Sequence, residues 1–156
     1  MKYHGSLIVV KDIEASKRFY KEVLDLNVEV DFGANVTLTG GFSLQTLDTW
    51  AHFIQKDESD VTFGCNNAEL YFEADDLDAF CKFLETKPDI KYVHPLREYP
   101  WGQRAIRFYD LDKHIIEAGE NMVAVVKRFI AAGMTKEEAA ERMGVAVGYV
   151  EQLLGE

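Results

Sequence analysis

An acidic residue interrupts an apolar segment in the second half of the chain, within the sequence HIIEAGE. If this segment is an extended strand, Glu117 shares one face with Ile115 and Gly119, while Ile116 and Ala118 lie on the other. A buried carboxylate costs several kcal/mol unless it is paired, hydrogen-bonded or bound to a metal ion. Glu117 therefore either faces water or has a partner.

The neighbouring predicted strands carry side chains that could satisfy Glu117 without a metal: Arg104, Arg107, Tyr71 and Tyr109. An arginine could pair with the carboxylate through two parallel hydrogen bonds. Two tryptophans, Trp50 and Trp101, would stack on a planar ligand if they line a cavity, and otherwise they would cap the ends of the sheet.

The cysteines and histidines form no pattern typical of a metal site or a nucleophile. Cys81 falls in the apolar periodicity of a predicted helix and is expected in the core, while Cys65 lies among turn residues with no basic neighbour to activate it. His52 and His94 have no partner at ligand spacing, and His114 would lie on the strand face opposite Glu117.

The composition is that of a globular protein. The chain has 156 residues with 47% hydrophobic residues, which suits one domain of ordinary size with a small appendage. The formal charge of −10 argues against nucleic acid or an anionic membrane as the main partner. No segment approaches the ~20 apolar residues of a membrane span, and no signal peptide is recognisable, so we expect a cytoplasmic protein.

A β-α-β-β-β pattern occurs twice along the chain. Superposing Asp12 on Asp76 aligns KDIEASKRFY with DDLDAFCKFL, so the same helix-start motif recurs 64 residues later, each time after a predicted strand. Three short β-prone segments follow each helix. The sequence therefore predicts an α+β domain at residues 1–121, with repeats 1–60 and 66–121 forming curved mixed sheets around a cavity.

The segment 122–156 has a different composition, typical of three helices separated at Gly133 and Gly144. Its second and third predicted helices, Lys136 to Met143 and Val147 to Leu154, have the spacing of a helix-turn-helix. We interpret it as a small helical appendage.

The segments KDIEASKRFYKEVLDL and PWGQRAIRFYDLDKHIIEAGE, with the duplicated unit, resemble the vicinal oxygen chelate superfamily. This superfamily contains glyoxalase I, bleomycin-resistance proteins and extradiol dioxygenases, and the resemblance covers about Met1 to Asn121. It implies the fold predicted above, a small-molecule ligand, and a homodimer.

The resemblance also implies metal ligands on the first and last strands of each repeat. Glu117 matches the last ligand, Glu69 falls where those members carry a histidine, and Gln45 falls where they carry a glutamate. The first ligand position is occupied by Gly5, and His4 is one residue out of phase, which in a strand means the opposite face. Gln45, Glu69 and Glu117 would form an all-oxygen set suited to Mg²⁺ or Mn²⁺ rather than to Ni²⁺ or Zn²⁺.

Three functions follow as alternatives. With a divalent metal, the protein would be a glyoxalase-like lyase or isomerase in which Glu117 or Glu69 is the catalytic base. Without a metal, it would bind or sequester a small molecule, with acidic and aromatic side chains receptive to a cationic ligand. In both cases the predicted ligand-binding residues are Trp50, Tyr71, Trp101 and Arg107.

The third alternative is a ligand-sensing regulator that binds DNA through its tail. From Val123 to Glu156 there are four Lys or Arg and five Glu, and the second helix of the motif, VGYVEQLL, carries no basic residue. Binding to DNA phosphates requires several cations, so the charge argues against this alternative and favours a helical cap or a dimerisation element.

Overall fold

A computed structural model describes residues 1–155 and shows an α+β fold with two four-stranded mixed sheets. The chain divides into two compact units. The first contains Met1–Ala68 and Asp110–His114, and the second contains Glu69–Tyr109 and the described residues from 115 onward. Within residues 1–155, no helix is both long enough and apolar enough to cross a lipid bilayer.

The first unit has the predicted strand-helix-meander order. Its strands and first helix are β1 (Ser6–Val10), α1 (Ile13–Leu24), β2 (Val28–Asp31), β3 (Asn35–Leu38) and β4 (Phe42–Thr46). The strands are ordered β1-β4-β3-β2, with β1 parallel to β4 and the other pairs antiparallel. Asp12 caps α1 by accepting a hydrogen bond from the Ala15 amide at 2.9 Å, and Tyr20 and Val23 are buried on the inner face of that helix.

A helix that the sequence analysis did not predict follows β4. This helix, α2 (Leu47–Ile54), begins directly after the last strand of the first meander, and a short 3-10 helix at Glu58–Asp60 follows it. The last of the three β-prone segments after α1, FSLQTL, extends to Leu47 in the sequence, but the strand ends at Thr46. Trp50 therefore lies on a helix of the first unit rather than at the end of a strand.

The segment 110–114 is fixed in the first unit by a buried aspartate. The Tyr20 hydroxyl donates to Asp110 Oδ2 at 2.8 Å, and the backbone amides of Asp112 and His114 donate to Asp110 Oδ1 at 2.9 and 2.8 Å. Burial, followed by the charge of Asp110, raises the pKa of Tyr20 well above its ordinary value, so this hydroxyl stays a hydrogen-bond donor.

The second unit repeats the order of the first. Its elements are β5 (Glu69–Ala74), α3 (Leu77–Glu85), β6 (Lys91–Glu98), β7 (Arg104–Tyr109) and β8 (Ile115–Glu120). The strand order β5-β8-β7-β6 is equivalent to that of the first sheet, with β5 parallel to β8. Asp76 caps α3 by accepting from the Ala79 amide at 2.9 Å, as Asp12 does in α1, which agrees with the predicted internal repeat.

The two faces of the second sheet differ in chemistry. Helix α3 packs on the face that carries Phe108 and Ile116, both fully buried, and the Phe80 ring centroid lies 6.2 Å from that of Phe108. Tyr71, Glu117 and Arg107 are directly paired across β5, β8 and β7 and share the opposite face. The polar side chains of interest are thus segregated from the face covered by helix α3.

The tail consists of the three predicted helices, α4 (Met122–Ala131), α5 (Lys136–Met143) and α6 (Val147–Leu154). The helices share a small apolar core of buried side chains: Val125, Val126, Phe129, Ala139, Ala140, Met143 and Val150. Gly144 ends α5 in the left-handed conformation that the sequence predicts for a helix stop.

A buried carboxylate attaches the tail to the second sheet. Glu120, which is only 4% exposed, accepts from Arg104 of β7 at 3.0 Å and from Arg128 of α4 at 2.9 Å. Glu98 of β6 pairs with Arg128 at 3.4 Å and also with Arg142 of α5. The segment that the sequence analysis set apart as an appendage is thus packed as part of the second unit.

Stability should depend on the charge of Glu120. Burial alone would raise its pKa, but hydrogen bonds from Arg128 and Arg104 lower it below the ordinary value of 4.5. A depressed pKa contributes stability that is present at neutral pH and is lost as the pH falls below the unfolded-state value. Glu120→Gln should reduce the free energy of unfolding by about 3 kcal/mol at pH 7 and flatten its decline in acid, measured by urea denaturation.

Glu22→Gln, on the exposed surface of α1, is the matched control. Equal losses of unfolding free energy in the two variants at pH 7 would show that the buried charge of Glu120 does not stabilise the protein.

Candidate functional site

The carboxylate that interrupts β8 is buried beside an arginine. Glu117 is 5% exposed, and its Oε2 atom forms an ion pair with Nη2 of Arg107 on the adjacent strand β7. The two residues are directly opposite each other in the antiparallel pairing of β7 with β8. Arg107 is therefore the partner that the position of Glu117 requires, whereas Arg104 pairs with Asp78 and Glu120.

The guanidinium group of Arg107 also pairs with a second carboxylate. Its Nε donates to Glu69 Oε2 at 2.8 Å, and its Nη1 contacts the Tyr99 hydroxyl and lies 3.3 Å from His94 Nε2. Burial alone would lower the pKa of Arg107, but the hydrogen bond and charge of Glu69 raise it above its ordinary value. Glu69 and Glu117 therefore share one permanently charged cation.

An aromatic stack extends outward from this cation. The Cζ atom of Arg107 lies 5.5 Å from the Tyr99 ring centroid, and Tyr99 stacks on Trp101 with centroids 4.7 Å apart and ring planes 10° apart. Trp101 is 41% exposed. An exposed tryptophan held parallel to a second ring can stack on a planar ligand.

A buried amide links Trp101 to the other side of the sheet. Gln103, 8% exposed, accepts from Trp101 Nε1 at 3.3 Å and donates to the Tyr71 hydroxyl at 3.0 Å. The Tyr71 hydroxyl in turn donates to Glu73 Oε1 at 3.2 Å. The ring of Tyr71 lies over Gly119, where an added Cβ would be 2.9 Å from Tyr71 Cε2, so a side chain at this position would displace the ring.

Three residues of the site were not predicted from the sequence: Tyr99, Gln103 and Glu73. The period of two along β5 places Glu73 on the face of Glu69 and Tyr71, and this signal could have identified it. Tyr99 and Gln103 flank a turn, where no strand periodicity predicts the direction of a side chain.

The predicted site residues are divided between the two units. Glu69, Tyr71, Trp101, Arg107 and Glu117 belong to the second unit. The other two predicted residues, Trp50 and Gln45, belong to the first unit. Trp50 lies on α2. Gln45 accepts from Asn35 Nδ2 at 2.8 Å and contacts the Thr49 hydroxyl.

The donor groups do not fit a divalent metal centre. The Arg107 guanidinium occupies the position between Glu69 and Glu117 that a cation would need, and two cations cannot share it without repulsion. Within residues 1–155, no group of three His, Cys, Asp or Glu residues is arranged to hold a metal ion. At Gly5, the family's first ligand position, a Cβ would lie 2.6 Å from the carbonyl oxygen of Gly41, so a ligand side chain has no space. The metal-ligand roles of Gln45, Glu69 and Glu117 remain predictions that this geometry does not favour.

Removing the cation should destabilise the second unit. Arg107→Met leaves Glu117 buried without its charged partner, and the expected loss is about 3 to 5 kcal/mol in the free energy of unfolding, measured by urea denaturation. The double variant Arg107→Met with Glu117→Leu should recover most of that loss, because no buried charge then remains unpaired.

Arg18→Met, at an exposed position of α1, is the control and should change the stability little. A small loss in Arg107→Met without recovery in the double variant would show that the pair does not neutralise a buried charge.

Comparisons with known proteins agree with this architecture. The model of the glyoxalase-like domain family matches residues 3–123. A protein of unknown function from Agrobacterium tumefaciens str. C58 is 35% identical, with 78% of this chain and 94% of that chain covered and a TM-score of 0.68. The comparison with curated proteins finds no match.

Two further solved structures share the fold at lower identity. A glyoxalase-related enzyme from Fulvimarina pelagi is 22% identical over 76% of this chain and 88% of its own, with a TM-score of 0.61. A lactoylglutathione lyase from Agrobacterium tumefaciens is 20% identical over 77% of this chain and 93% of its own, with a TM-score of 0.56. The duplicated strand-helix-meander unit and the matched family model lead to one conclusion: this chain belongs to the glyoxalase-like family of the vicinal oxygen chelate superfamily.

Proposed function

We propose that this protein binds a small organic molecule over the polar face of its second sheet, without a metal ion. The observation that carries the proposal is the shared pairing of Glu69 and Glu117 with Arg107. The guanidinium group supplies the positive charge that a divalent ion supplies in metal-dependent members of the superfamily. Binding or sequestering is therefore favoured over metal-dependent catalysis.

The burial and pairing of Glu117 support this choice. A general base needs a free carboxylate within reach of the substrate proton, but Glu117 is buried and paired with a cation that remains charged. A metal-dependent lyase or isomerase would require Arg107 to release both carboxylates, breaking its ion pairs at once. The cost of leaving a buried charge unpaired opposes that rearrangement.

The chemistry of the exposed side chains supports a planar or cationic ligand. Trp101 and Tyr71 offer ring surface on either side of Gln103, and both are more than one-third exposed. Glu69 and Glu73 supply negative charge on the same sheet face. Aromatic rings with nearby carboxylates suit an organic molecule that is flat, positively charged, or both.

Thermal-shift screening of a small-molecule library in the presence of a chelator tests this proposal. Ligands should raise the melting temperature equally with chelator and with added Mg²⁺ or Mn²⁺, because no metal takes part in binding. Trp101→Leu should weaken binding of these ligands by roughly 10-fold, since it removes the outer ring of the stack.

Trp50→Leu is the control: it removes the other tryptophan but no member of the Tyr99–Trp101 stack, and it should leave the same affinities unchanged. Ligands that bind only when a divalent ion is present would favour the metal-dependent enzyme instead.

A further inference from the structure

Two exposed aromatic side chains on the second unit are held in fixed positions. Tyr71 is 47% exposed and Trp101 is 41% exposed, yet each is hydrogen-bonded to the buried amide of Gln103. Gln103 Nε2 also donates to the backbone carbonyl of Glu120 at 3.0 Å, so its own orientation is fixed. Exposed rings that contribute little to the core but are fixed in this way are typical of a binding surface.

Glu73, the carboxylate beside these rings, differs from the other carboxylates of the second sheet in its hydrogen-bond partners. Glu69, Glu117 and Glu120 each pair with an arginine. The hydrogen-bond donors to Glu73 are neutral: the Tyr71 hydroxyl at 3.2 Å and the Asn121 amide at 2.9 Å. Burial, opposed in part by the Gln103 hydrogen bond and assisted by the charge of Glu73, raises the pKa of Tyr71, so its hydroxyl remains a neutral donor.

The first helix of the tail, α4, contacts the turn that carries Trp101. Arg128 of α4 donates to the Gly102 carbonyl at 2.6 Å, in the turn between Trp101 and Gln103. The Phe129 ring lies against Gly102 so closely that an added Cβ would be 2.0 Å from Phe129 Cζ. Gly102 also has a φ of +90°, which favours glycine. The conformation of this turn therefore depends on α4.

The N-cap residue of α4 orients the Glu73 carboxylate. Asn121 caps α4 by accepting from the Val123 amide at 2.9 Å through its side-chain oxygen, and its side-chain nitrogen donates to Glu73. The match to the glyoxalase-like family ends at residue 123, so Arg128 and Phe129 lie beyond the matched segment. The surface is thus shaped by a part of the chain that the family match does not include.

We propose that Tyr71, Glu73 and Trp101 form a subsite for an organic ammonium group, and that the helical tail sets the geometry of this subsite. The ring faces provide cation–π attraction, and the Glu73 carboxylate, which has no charge-neutralising donor among the hydrogen bonds described above, provides the counter-charge. The inference rests on the proposed ligand-binding function and adds to it the class of ligand.

Titration with choline and with 3,3-dimethylbutan-1-ol, its uncharged isostere, tests the subsite. In a Trp50→Phe background, Trp101 is the remaining tryptophan of the chain, so its fluorescence reports directly on the subsite. Choline should change the emission saturably and bind roughly 10-fold more tightly than the isostere, because only choline carries the charge. Glu73→Gln should remove most of that difference, while Glu85→Gln, at an exposed position of α3, should not.

Equal affinities for choline and the isostere, no saturable response to choline, or an unchanged charge preference in Glu73→Gln would each overturn the subsite. If uncharged planar ligands from the thermal-shift screen still bind with Trp101 dependence, the proposed function stands and only the ammonium subsite fails. If neither class of ligand binds, both proposals fail.

The role of the tail is tested with Arg128→Lys, which keeps the charge near Glu120 but loses the guanidinium geometry that reaches the Gly102 carbonyl. Choline affinity should fall at least 3-fold in a variant confirmed as folded by circular dichroism. Unchanged affinity together with unchanged Trp101 emission would show that the tail does not set the geometry of the subsite.

Discussion

The ion pair between Arg107 and Glu117 is the interaction on which the polar face of the second sheet depends. A carboxylate in the middle of β8 would be prohibitively costly to bury alone, so the adjacent strand supplies a guanidinium group directly opposite it. That group then reaches Glu69 and supports the ring of Tyr99, on which Trp101 stacks. The neutralisation of Glu117 therefore also fixes Glu69, Tyr99 and, through Tyr99, Trp101.

A buried carboxylate on the opposite face of β8 is also neutralised by arginine. Glu117 and Glu120 are three positions apart, so they point to different faces of β8, and each is neutralised by arginine. The arginine that neutralises Glu117 also contacts other side chains of the candidate site. The arginines that neutralise Glu120, Arg104 and Arg128, connect the sheet to the tail. Arg128 also donates to the Gly102 carbonyl, so the tail contacts the turn after β6 that carries Trp101.

The sequence predicted the parts of this architecture that depend on local rules. The repeated capping aspartates Asp12 and Asp76 revealed the duplication, and the tail helices followed from composition and glycine stops. Glu117 was predicted either to face water or to have a partner, because the cost of an unpaired buried carboxylate follows from its type and strand position alone. The choice of Arg107 over Arg104 depends on strand register, and the roles of Gln103 and Tyr99 depend on the conformation of a turn; neither is encoded in periodicity. Helix α2 was missed because the apolar alternation of FSLQTL continues one residue beyond the end of the strand.

The measurement that tests the central claim most directly is the content of divalent metal, determined by elemental analysis after chelator treatment and reloading with Mg²⁺, Mn²⁺, Ni²⁺ or Zn²⁺. If Arg107 occupies the cation position between Glu69 and Glu117, the wild-type protein should retain no stoichiometric metal, and Glu117→Gln should behave in the same way. One equivalent of metal in the wild-type protein that disappears in Glu117→Gln would contradict the account and identify Glu117 as a metal ligand.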